Sequence, residues 1–237
     1  MIKLAISGCM GKMGIRIREL AFLDKDFALV ALLEKEEHKT VGADICDIKI
    51  ESDPKAIRKA DILIEFSTPE ATLEHLDICL KYKKAMVVGT TGFSDEQKEK
   101  IKQAAKLIAI VFSPNMSLGV NLLFRLVKET AKKLSSDYET KIIEAHHIHK
   151  KDAPSGTAKQ LAEIIKEAKK EEAKDIKSIR EGEIVGDHQV IFDSHFDTIE
   201  LRHSAKTRDI FAQGALAAAK WIYTKKPGLY SMQDVLG

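Results

Sequence analysis

The stretch IKLAISGCMGKMGIRI, residues 2–17, decides the fold of the chain. Its first six residues are mostly apolar and predict a buried strand, and the pattern after the glycines predicts a helix. Gly8, Gly11 and Gly14 lie between the two, where glycine allows a tight turn and lets a pyrophosphate approach the helix N-terminus. The spacing is G-x-x-G-x-x-G with Met10 at the usual middle glycine, so glycines that merely shape a turn remain an alternative.

The residues after the second strand extend this interpretation. The apolar run FALVALLE ends at Glu34, twenty residues beyond Gly14. A carboxylate at that place can accept hydrogen bonds from an adenosine ribose, whereas the adjacent Lys35 could meet a 2′-phosphate. The pair fits either nicotinamide cofactor, NADH or NADPH, and a solvated loop acid is the alternative for Glu34.

Three further apolar runs follow, separated by helical patterns, and this alternation predicts an α/β domain with a doubly wound parallel sheet. The runs occupy residues 61–67, 85–91 and 107–113. Helix starts are indicated by Asp53-Pro54, by Thr68-Pro69 and by the capping-box spacing of Ser94 and Gln97. Gly89, Thr90 and Thr91 follow a strand at the sheet edge that carries ligands in such folds, although a turn that positions Ser94 explains them equally well.

The second half of the chain predicts an α+β arrangement with few parallel crossovers. Helical patterns cover about 118–134, 157–169 and 208–223, and strand patterns cover 138–147, 188–194 and 197–204. The charged run at 166–177 predicts a solvated helix face. We expect residues 117–208 to form a second domain, inserted between residues 1–116 and 209–237 of the first.

Composition excludes several classes of protein. The chain has 237 residues and a net charge of +2, which predicts neither a nucleic-acid nor a membrane partner. Its three cysteines form no C-x-x-C pair, which argues for a reducing compartment and against a cysteine zinc site. The N-terminus is strand-like rather than signal-like. A soluble, cytoplasmic protein is therefore expected.

The segment EAHHIHKKDAPSGTA, residues 144–158, carries the chemistry. His-His-x-His has no matching carboxylate or cysteine set nearby, so no metal is predicted. If the strand continues through the segment, His146 and Lys150 share one face, with His147 and His149 on the other. An imidazole and an ammonium group lower each other's proton affinity, which suits proton donation. A satisfied polar group is the alternative for any one histidine.

The next residues predict an anion receptor. Ser155, Gly156 and Thr157 open a helix, and its free N–H groups with Lys150 or Lys151 would attract carboxylates. The segment therefore predicts an anionic substrate held at a helix N-terminus beside a proton donor.

At this point the sequence resembles the 4-hydroxy-tetrahydrodipicolinate reductase (dihydrodipicolinate reductase) family. The resemblance runs along almost the whole chain, through GCMGKMG, EFSTPEAT, VVGTTGFS, FSPNMSLGVN, the histidine segment, IREGEIVGDHQV and GLYSMQDVLG. It implies an NAD(P)H-dependent oxidoreductase of diaminopimelate and lysine biosynthesis, with a cyclic dicarboxylate substrate. It also implies a Rossmann-type dinucleotide-binding domain and a second α+β domain for substrate binding and assembly into a homotetramer.

The resemblance also implies roles for individual residues. His146 and Lys150 match the proton donors, and His147, Gly156 and Thr157 match the contacts to the substrate carboxylate. The matching cofactor contacts are Gly8, Cys9, Met10, Gly11, Lys12, Met13, Glu34, Lys35, Gly89, Thr90, Thr91, Ser113, Pro114, Asn115 and Met116. Lys35 stands where some members have arginine, so the preference between NADH and NADPH stays open.

Two other functions compete with this one. Another Rossmann-fold dehydrogenase of amino-acid metabolism would share the glycine loop but not the combination of HHIHK with PSGT. A non-catalytic nucleotide sensor would not need a proton donor beside an anion receptor, and the sequence has no helix-turn-helix or basic patch to serve as its output.

Overall fold

The computed structural model describes residues 1–237 and divides into two compact units. Met1–Ser117 and Phe211–Gly237 form the first unit, and Leu118–Ile210 forms the second. The second domain was expected to span residues 117–208, so its predicted start lies one residue before the observed start and its predicted end two residues before the observed end.

The first unit is an α/β structure built on a mostly parallel sheet. Its elements are β1 (Ile2–Ser7), α1 (Lys12–Leu23), β2 (Phe27–Leu33), β3 (Asp44–Ile45), β4 (Ile48–Glu51), a 3₁₀ helix (Pro54–Lys59), β5 (Ile62–Glu65), α2 (Pro69–Tyr82), β6 (Ala85–Val88), α3 (Asp95–Ala104), β7 (Ala109–Phe112), the larger part of α6 (Asp209–Ile222), β12 (Gly228–Tyr230) and α7 (Met232–Leu236). The strand order is β12-β7-β6-β5-β1-β2-β4-β3, and only β3 and β4 pair antiparallel. The predicted doubly wound sheet is confirmed.

The order of the strands places the ligand edge of the sheet. Strands β5, β6 and β7 extend from β1 on one side, and β2 and β4 extend on the other. Open parallel sheets bind ligands at the carboxyl ends of the strands, where the order reverses. The loops after β1, β2, β5, β6 and β7 therefore converge at the edge where a nucleotide would bind.

The predicted helix starts of this unit are confirmed. The Asp53 carboxylate accepts from Lys55 N at 2.9 Å, and Thr68 Oγ1 accepts from Ala71 N at 3.3 Å. Ser94 and Gln97 form the expected capping box. The Asp53 cap opens a short 3₁₀ helix rather than an α-helix.

The second unit is a four-stranded sheet with helices on one face. Its elements are α4 (Leu118–Lys133), β8 (Glu139–His146), α5 (Gly156–Lys169), β9 (Asp175–Arg180), β10 (Gly186–Asp193) and β11 (Thr198–Ala205). The order is β11-β10-β8-β9, and β9 runs parallel to β8 while the other pairs are antiparallel. Apolar side chains of α4 and α5 pack on alternate strand residues and form one core: Val120, Leu123, Phe124, Val127, Ile142, Leu161, Ile165, Val190 and Phe192.

Two predictions about this unit are wrong. The charged run at 166–177 is not one helix, because α5 ends at Lys169, Lys170 takes a left-handed conformation with φ 62°, and β9 begins at Asp175. The strand through the histidine segment also stops at His146. The elements β3, β4, β12 and α7, each of five residues or fewer, were not predicted. Every helix in the chain is too short or too polar to cross a lipid bilayer.

Candidate active site

The glycine loop between β1 and α1 is shaped by two close backbone approaches. Gly8 has φ +67°, and a Cβ on it would lie 2.3 Å from the carbonyl oxygen of Phe66. A Cβ on Gly14 would lie 2.0 Å from the carbonyl oxygen of Gly8. Gly11 caps α1 without any side-chain hydrogen bond, so the cap residue does not compete with a pyrophosphate for the first-turn N–H groups. The loop thus fits the phosphates of a dinucleotide.

Glu34 lies against this loop. It follows the last residue of β2, and its carboxylate accepts hydrogen bonds from Met10 N and Lys35 N, both at 3.1 Å. A carboxylate has about four acceptor positions, so two remain for the hydroxyls of a ribose. Glu34 is half-buried, whereas Lys35 is exposed. This geometry suits an unphosphorylated ribose at Glu34.

The loops after β5 and β6 are locked together by buried polar groups. Thr90 Oγ1 accepts from Ser67 N at 3.1 Å and contacts Thr72 Oγ1 at 3.2 Å. A Cβ on Gly89 would lie 2.2 Å from the ring of Phe66. The Thr90 hydroxyl is therefore committed to the scaffold, whereas Thr91 is exposed.

Sequence reasoning assigned no role to the buried acid at the end of β5. Glu65 is fully buried, and its carboxylate meets His75 Nδ1 at 2.6 Å and accepts from Ser67 Oγ at 2.5 Å. The motif EFSTPEAT contains Glu65 and Ser67, but His75 lies on α2 beyond the motif. The pair fixes the loop that carries Phe66, which touches both glycine turns.

The segment from Ser113 to Met116 continues the same edge after β7. Ser113 Oγ donates to the Asn115 carbonyl at 2.8 Å, and Asn115 Oδ1 accepts from Ser117 N at 2.9 Å. Met116 is buried, and a Cβ on Gly214 of α6 would lie only 1.7 Å from its carbonyl oxygen. The predicted cofactor segment is thus held rigidly within the first unit.

His146 is the last residue of β8, and its side chain points to the helix-covered face. The strand alternates strictly, so Glu144 and His146 are both buried. The chain then turns, with Lys150 N donating to the His147 carbonyl at 3.1 Å. Because the strand does not continue, alternation does not place Lys150 beside His146; the turn determines its position.

The expected lowering of the His146 pKa is present, although burial is its largest cause. Burial lowers the pKa of His146, the hydrogen bond and charge of Glu144 raise it, and the charges of Lys150 and Arg180 lower it again. The Lys150 ammonium group forms an ion pair with Asp152 at 2.8 Å. The lysine therefore contributes to the field at the imidazole from within its own loop.

The predicted anion receptor has the expected local structure. Ser155 caps α5, its Oγ accepting from Ala158 N at 3.2 Å, and Gly156 and Thr157 form the first turn. The Nδ1 atom of His147 is buried and has no hydrogen-bond partner. A helix N-terminus and an unsatisfied imidazole nitrogen are groups that a carboxylate can bind.

Two buried residues and one half-buried residue of this unit were not predicted as site residues. Glu144, Arg180 and His188 surround His146, and the ligand atoms of Glu144, His146 and His188 lie within 4.8 Å of one another. That spacing could hold a metal ion, but both Glu144 oxygens already accept from Arg180, at 2.8 and 3.0 Å. A guanidinium there competes with a cation, so the prediction of no metal is retained. The motif IREGEIVGDHQV contains Arg180 and His188, but no sequence spacing connects them with Glu144.

Two family models together match nearly the whole chain. The model described as dihydrodipicolinate reductase, N-terminus, matches residues 2–116, and the model described as dihydrodipicolinate reductase, C-terminus, matches residues 119–236. The chain belongs to the dihydrodipicolinate reductase family. It is accordingly an oxidoreductase, and its first unit is the NAD(P)-binding Rossmann domain of that family.

Individual relatives agree with this assignment. The 4-hydroxy-tetrahydrodipicolinate reductases of Nitrosomonas eutropha and Pelagibacter ubique are both 42% identical to the chain, over 264 and 255 residues, and each comparison covers at least 98% of both proteins. The structure of a dipicolinate-bound dihydrodipicolinate reductase from Paenisporosarcina sp. TG-14 is similar with a TM-score of 0.87 and 25% identity, covering 100% of both chains.

Proposed function

We propose that the protein reduces 4-hydroxy-tetrahydrodipicolinate to tetrahydrodipicolinate with NADH or NADPH, in the diaminopimelate and lysine pathway. The observation that carries this proposal is the grouping of a buried imidazole, an ammonium group and a helix N-terminus in the second unit of a member of this family. The relatives named above carry this activity in their names. The glycine loop and Glu34 provide the matching nucleotide site.

The substrate class is proposed from the hydrogen-bonding groups of the histidine segment and the start of α5. A cyclic dicarboxylate requires donors for its oxygens, and the N–H groups of Gly156 and Thr157 in the first turn of α5 are of this kind. His147 has a buried, unpaired Nδ1 that can contribute a further hydrogen bond. The similar reductase from Paenisporosarcina is described as bound to dipicolinate, which is a cyclic dicarboxylate.

The proposed proton donor is His146, assisted by Lys150. Loss of the 4-hydroxyl group as water leaves a conjugated ring, which needs a hydride at C4 and a proton at C3. The reduced nicotinamide supplies the hydride when it is bound. His146 has a lowered pKa in the unliganded protein, and the negative charges of a bound dicarboxylate favour its protonated form. We expect binding of the dicarboxylate to be accompanied by proton uptake at His146. Lys150, released from Asp152, would bind the anion.

The cofactor contacts are proposed from the family pattern and the local geometry. The first turn of α1 would hold the pyrophosphate, and Glu34 would hold the adenosine ribose. Ser113–Met116 and the backbone of Gly89–Thr91 form the adjacent loops of the same sheet edge. Because Glu34 keeps free acceptor positions and Lys35 is only a point charge, we propose that NADH is used at least as well as NADPH.

We also propose a homotetramer in the cytoplasm. The face of the second sheet that points away from α4 and α5 carries half-buried residues such as Ile143 and Ile191. A sheet face of this kind is a surface through which copies of a chain can associate. Light scattering after size-exclusion chromatography measures the number of chains directly, and a monomer would contradict the proposal.

The test of the proposed activity is a cofactor-oxidation assay with enzymatically generated substrate. His146→Gln and Lys150→Ala should each lower kcat by about 10²–10⁴-fold, the usual contribution of a positioned general acid. Cofactor binding, followed by quenching of the single tryptophan, Trp221, should keep its wild-type Kd.

His149→Gln is the matched control for these variants. His149 lies three residues from His146 in the same segment, but its side chain is 73% exposed. Its substitution should leave kcat unchanged. Wild-type turnover in His146→Gln would refute the assignment of the proton donor, and an absence of cofactor oxidation by the wild-type protein would refute the proposed activity.

A further inference from the structure

The carboxylate of Glu144 is placed to control the histidine that follows it on β8. Glu144 is 0% exposed, and its Oε2 lies 2.5 Å from His146 Nδ1. The two residues are separated by one position on the strand, so strand alternation directs both side chains to the same face. Burying an acid next to an apolar core is costly unless its oxygens are paired. The location therefore requires compensating partners.

Arg180 on the neighbouring strand provides those partners. Its two terminal nitrogens donate to the two Glu144 oxygens at 3.0 and 2.8 Å, a bidentate arrangement. The same guanidinium donates to the Asp152 carbonyl at 2.6 Å, which ties the loop after His146 to the pair. Ser155 N adds a further bond to Glu144 Oε1 at 3.3 Å. Glu144 is thus held from the strand side and from the helix side.

This arrangement determines which nitrogen of the imidazole carries hydrogen. An ionised carboxylate can only accept hydrogen bonds, so the Nδ1 atom of His146 must be the donor. The other nitrogen, Nε2, lies beside Gly186, where a Cβ would approach it to 3.1 Å. The absence of a side chain at Gly186 therefore keeps space at Nε2. The ring of His188 packs edge-on against His146, with 5.1 Å between centroids, and restricts its rotation.

We propose that Glu144, clamped by Arg180, is a positioning residue that holds His146 as the Nδ1–H tautomer and leaves Nε2 to carry the transferred proton. The functional part of this inference rests on the proposed role of His146. Glu144 itself acts only through the imidazole. In catalytic sites of other folds, an acid that orients a histidine in this way affects turnover strongly.

Burial, together with the charges of Lys150 and Arg180, explains why the negative charge of Glu144 does not raise the pKa of His146 above its ordinary value. The groups that face it are Glu144 on β8, Arg180 on β9, His188 on β10 and Lys150 on the following turn. Burial opposes ionisation of Glu144, but hydrogen bonds from Arg180, Ser178 and His146 outweigh it and lower the Glu144 pKa to about 2. The acid is therefore ionised at neutral pH, while its attraction for a proton on His146 is partly offset by the two cations.

The first test is the tautomer itself, measured by NMR on protein with ¹⁵N-labelled histidine. Wild-type His146 should show a protonated Nδ1 and an unprotonated Nε2 above its pKa, with His146→Gln used for assignment. Glu144→Gln should populate both tautomers, because an amide can donate as well as accept. It should also lower the His146 pKa, because the charge that raises it is gone while Lys150 and Arg180 remain. Glu167→Gln, an exposed isosteric change on α5, is the control.

The second test is a double-mutant cycle on turnover. Glu144→Gln should lower kcat by roughly 10²-fold in the wild-type background, within the range of a positioned general acid. The same change should have little further effect in His146→Gln, because Glu144 acts through that residue. Arg180→Lys, which keeps the charge but loses the fork, should show a smaller loss of the same kind. It provides an independent variant should Glu144→Gln fold poorly.

The outcomes separate the inference from the function on which it rests. An Nε2–H tautomer in the wild-type protein, or an unchanged tautomer and pKa in Glu144→Gln, would overturn the positioning role even if His146 is the proton donor. The role would also be overturned if Glu144→Gln lowered kcat as much in the His146→Gln background as it does in the wild-type background. Wild-type turnover in His146→Gln would instead remove the proton-donor role and leave only the tautomer to be confirmed or refuted by NMR.

Discussion

Replacing Ser155 by alanine tests how the start of α5 is joined to the buried histidines. Ser155 Oγ accepts from Ala158 N at 3.2 Å and lies 3.2 Å from His188 Nε2. Burial, and after it the neighbouring His146, lower the pKa of His188 to about 4, so its ring is neutral at pH 7. A serine hydroxyl has one proton and two lone pairs, so while its oxygen accepts from Ala158 N it can still pair with Nε2 of the neutral ring in either tautomer.

The cost of the substitution can be worked from these two contacts. Loss of a serine N-cap costs about 1 kcal/mol of stability. His188 Nδ1 already lacks a hydrogen-bond partner, so Ser155→Ala would leave the buried ring without any. An unsatisfied buried nitrogen costs about 1–3 kcal/mol. The two losses together predict that the free energy of unfolding falls by roughly 2–4 kcal/mol.

Ser94→Ala is the matched control, because Ser94 also caps a helix at the same distance. Its Oγ accepts from Gln97 N at 3.2 Å, but Ser94 is exposed and contacts no buried histidine. We expect it to cost only about 1 kcal/mol. Urea unfolding followed by far-UV circular dichroism gives both values. Equal losses in the two variants would show that His188 does not depend on Ser155, and the reasoning would be refuted.

Two further predictions concern the cofactor and the acid stability of the protein. Glu34→Gln should weaken NADH more than NADPH, since the variant loses a charged acceptor for the ribose hydroxyls; a kcat/KM ratio of the two cofactors equal to that of the wild-type protein would contradict the role of Glu34. Burial raises the Glu144 pKa, but hydrogen bonding outweighs it and lowers the pKa from 4.5 to about 2. Above pH 4.5 the ionised form therefore stabilises the fold by roughly 3 kcal/mol, and this contribution is lost as the pH falls toward 2. Glu144→Gln should therefore reduce the dependence of unfolding free energy on pH in that interval, and equal slopes for both proteins in urea titrations would count against it.

The parts of the fold that could be predicted from the sequence are those with a local cause. Apolar strands such as β1 and β5 are buried on both faces, and the caps at Thr68 and Ser94 depend on residues three positions away. Strand β9 could not be recognised, because DIKSIR is a short segment at the end of a charged run and pairs along only one side. Its structure depends on β8, which is distant in sequence.

The candidate site shows the same division between local and distant causes. The histidine segment and the Ser155 cap are contiguous, so residue types and spacing predicted a proton donor beside an anion receptor. The Glu144–Arg180 pair joins residues 36 positions apart through strand pairing, and no spacing rule contains it. The assumed continuation of β8 past His146 was wrong because alternation holds only while the ladder continues, and here the chain turns at His147.

Parallel pairing of β9 with β8 aligns Arg180 with His146. Evolution can therefore lengthen or shorten the connection between α5 and β9 freely, provided that this alignment is kept. A shift of one residue in the register of β9 against β8 would turn the Arg180 guanidinium to the opposite face of the sheet, and the buried Glu144 carboxylate would lose its charged partner. Within this part of the chain, selection should act on the register of β9 more strictly than on the length of the loop that precedes it.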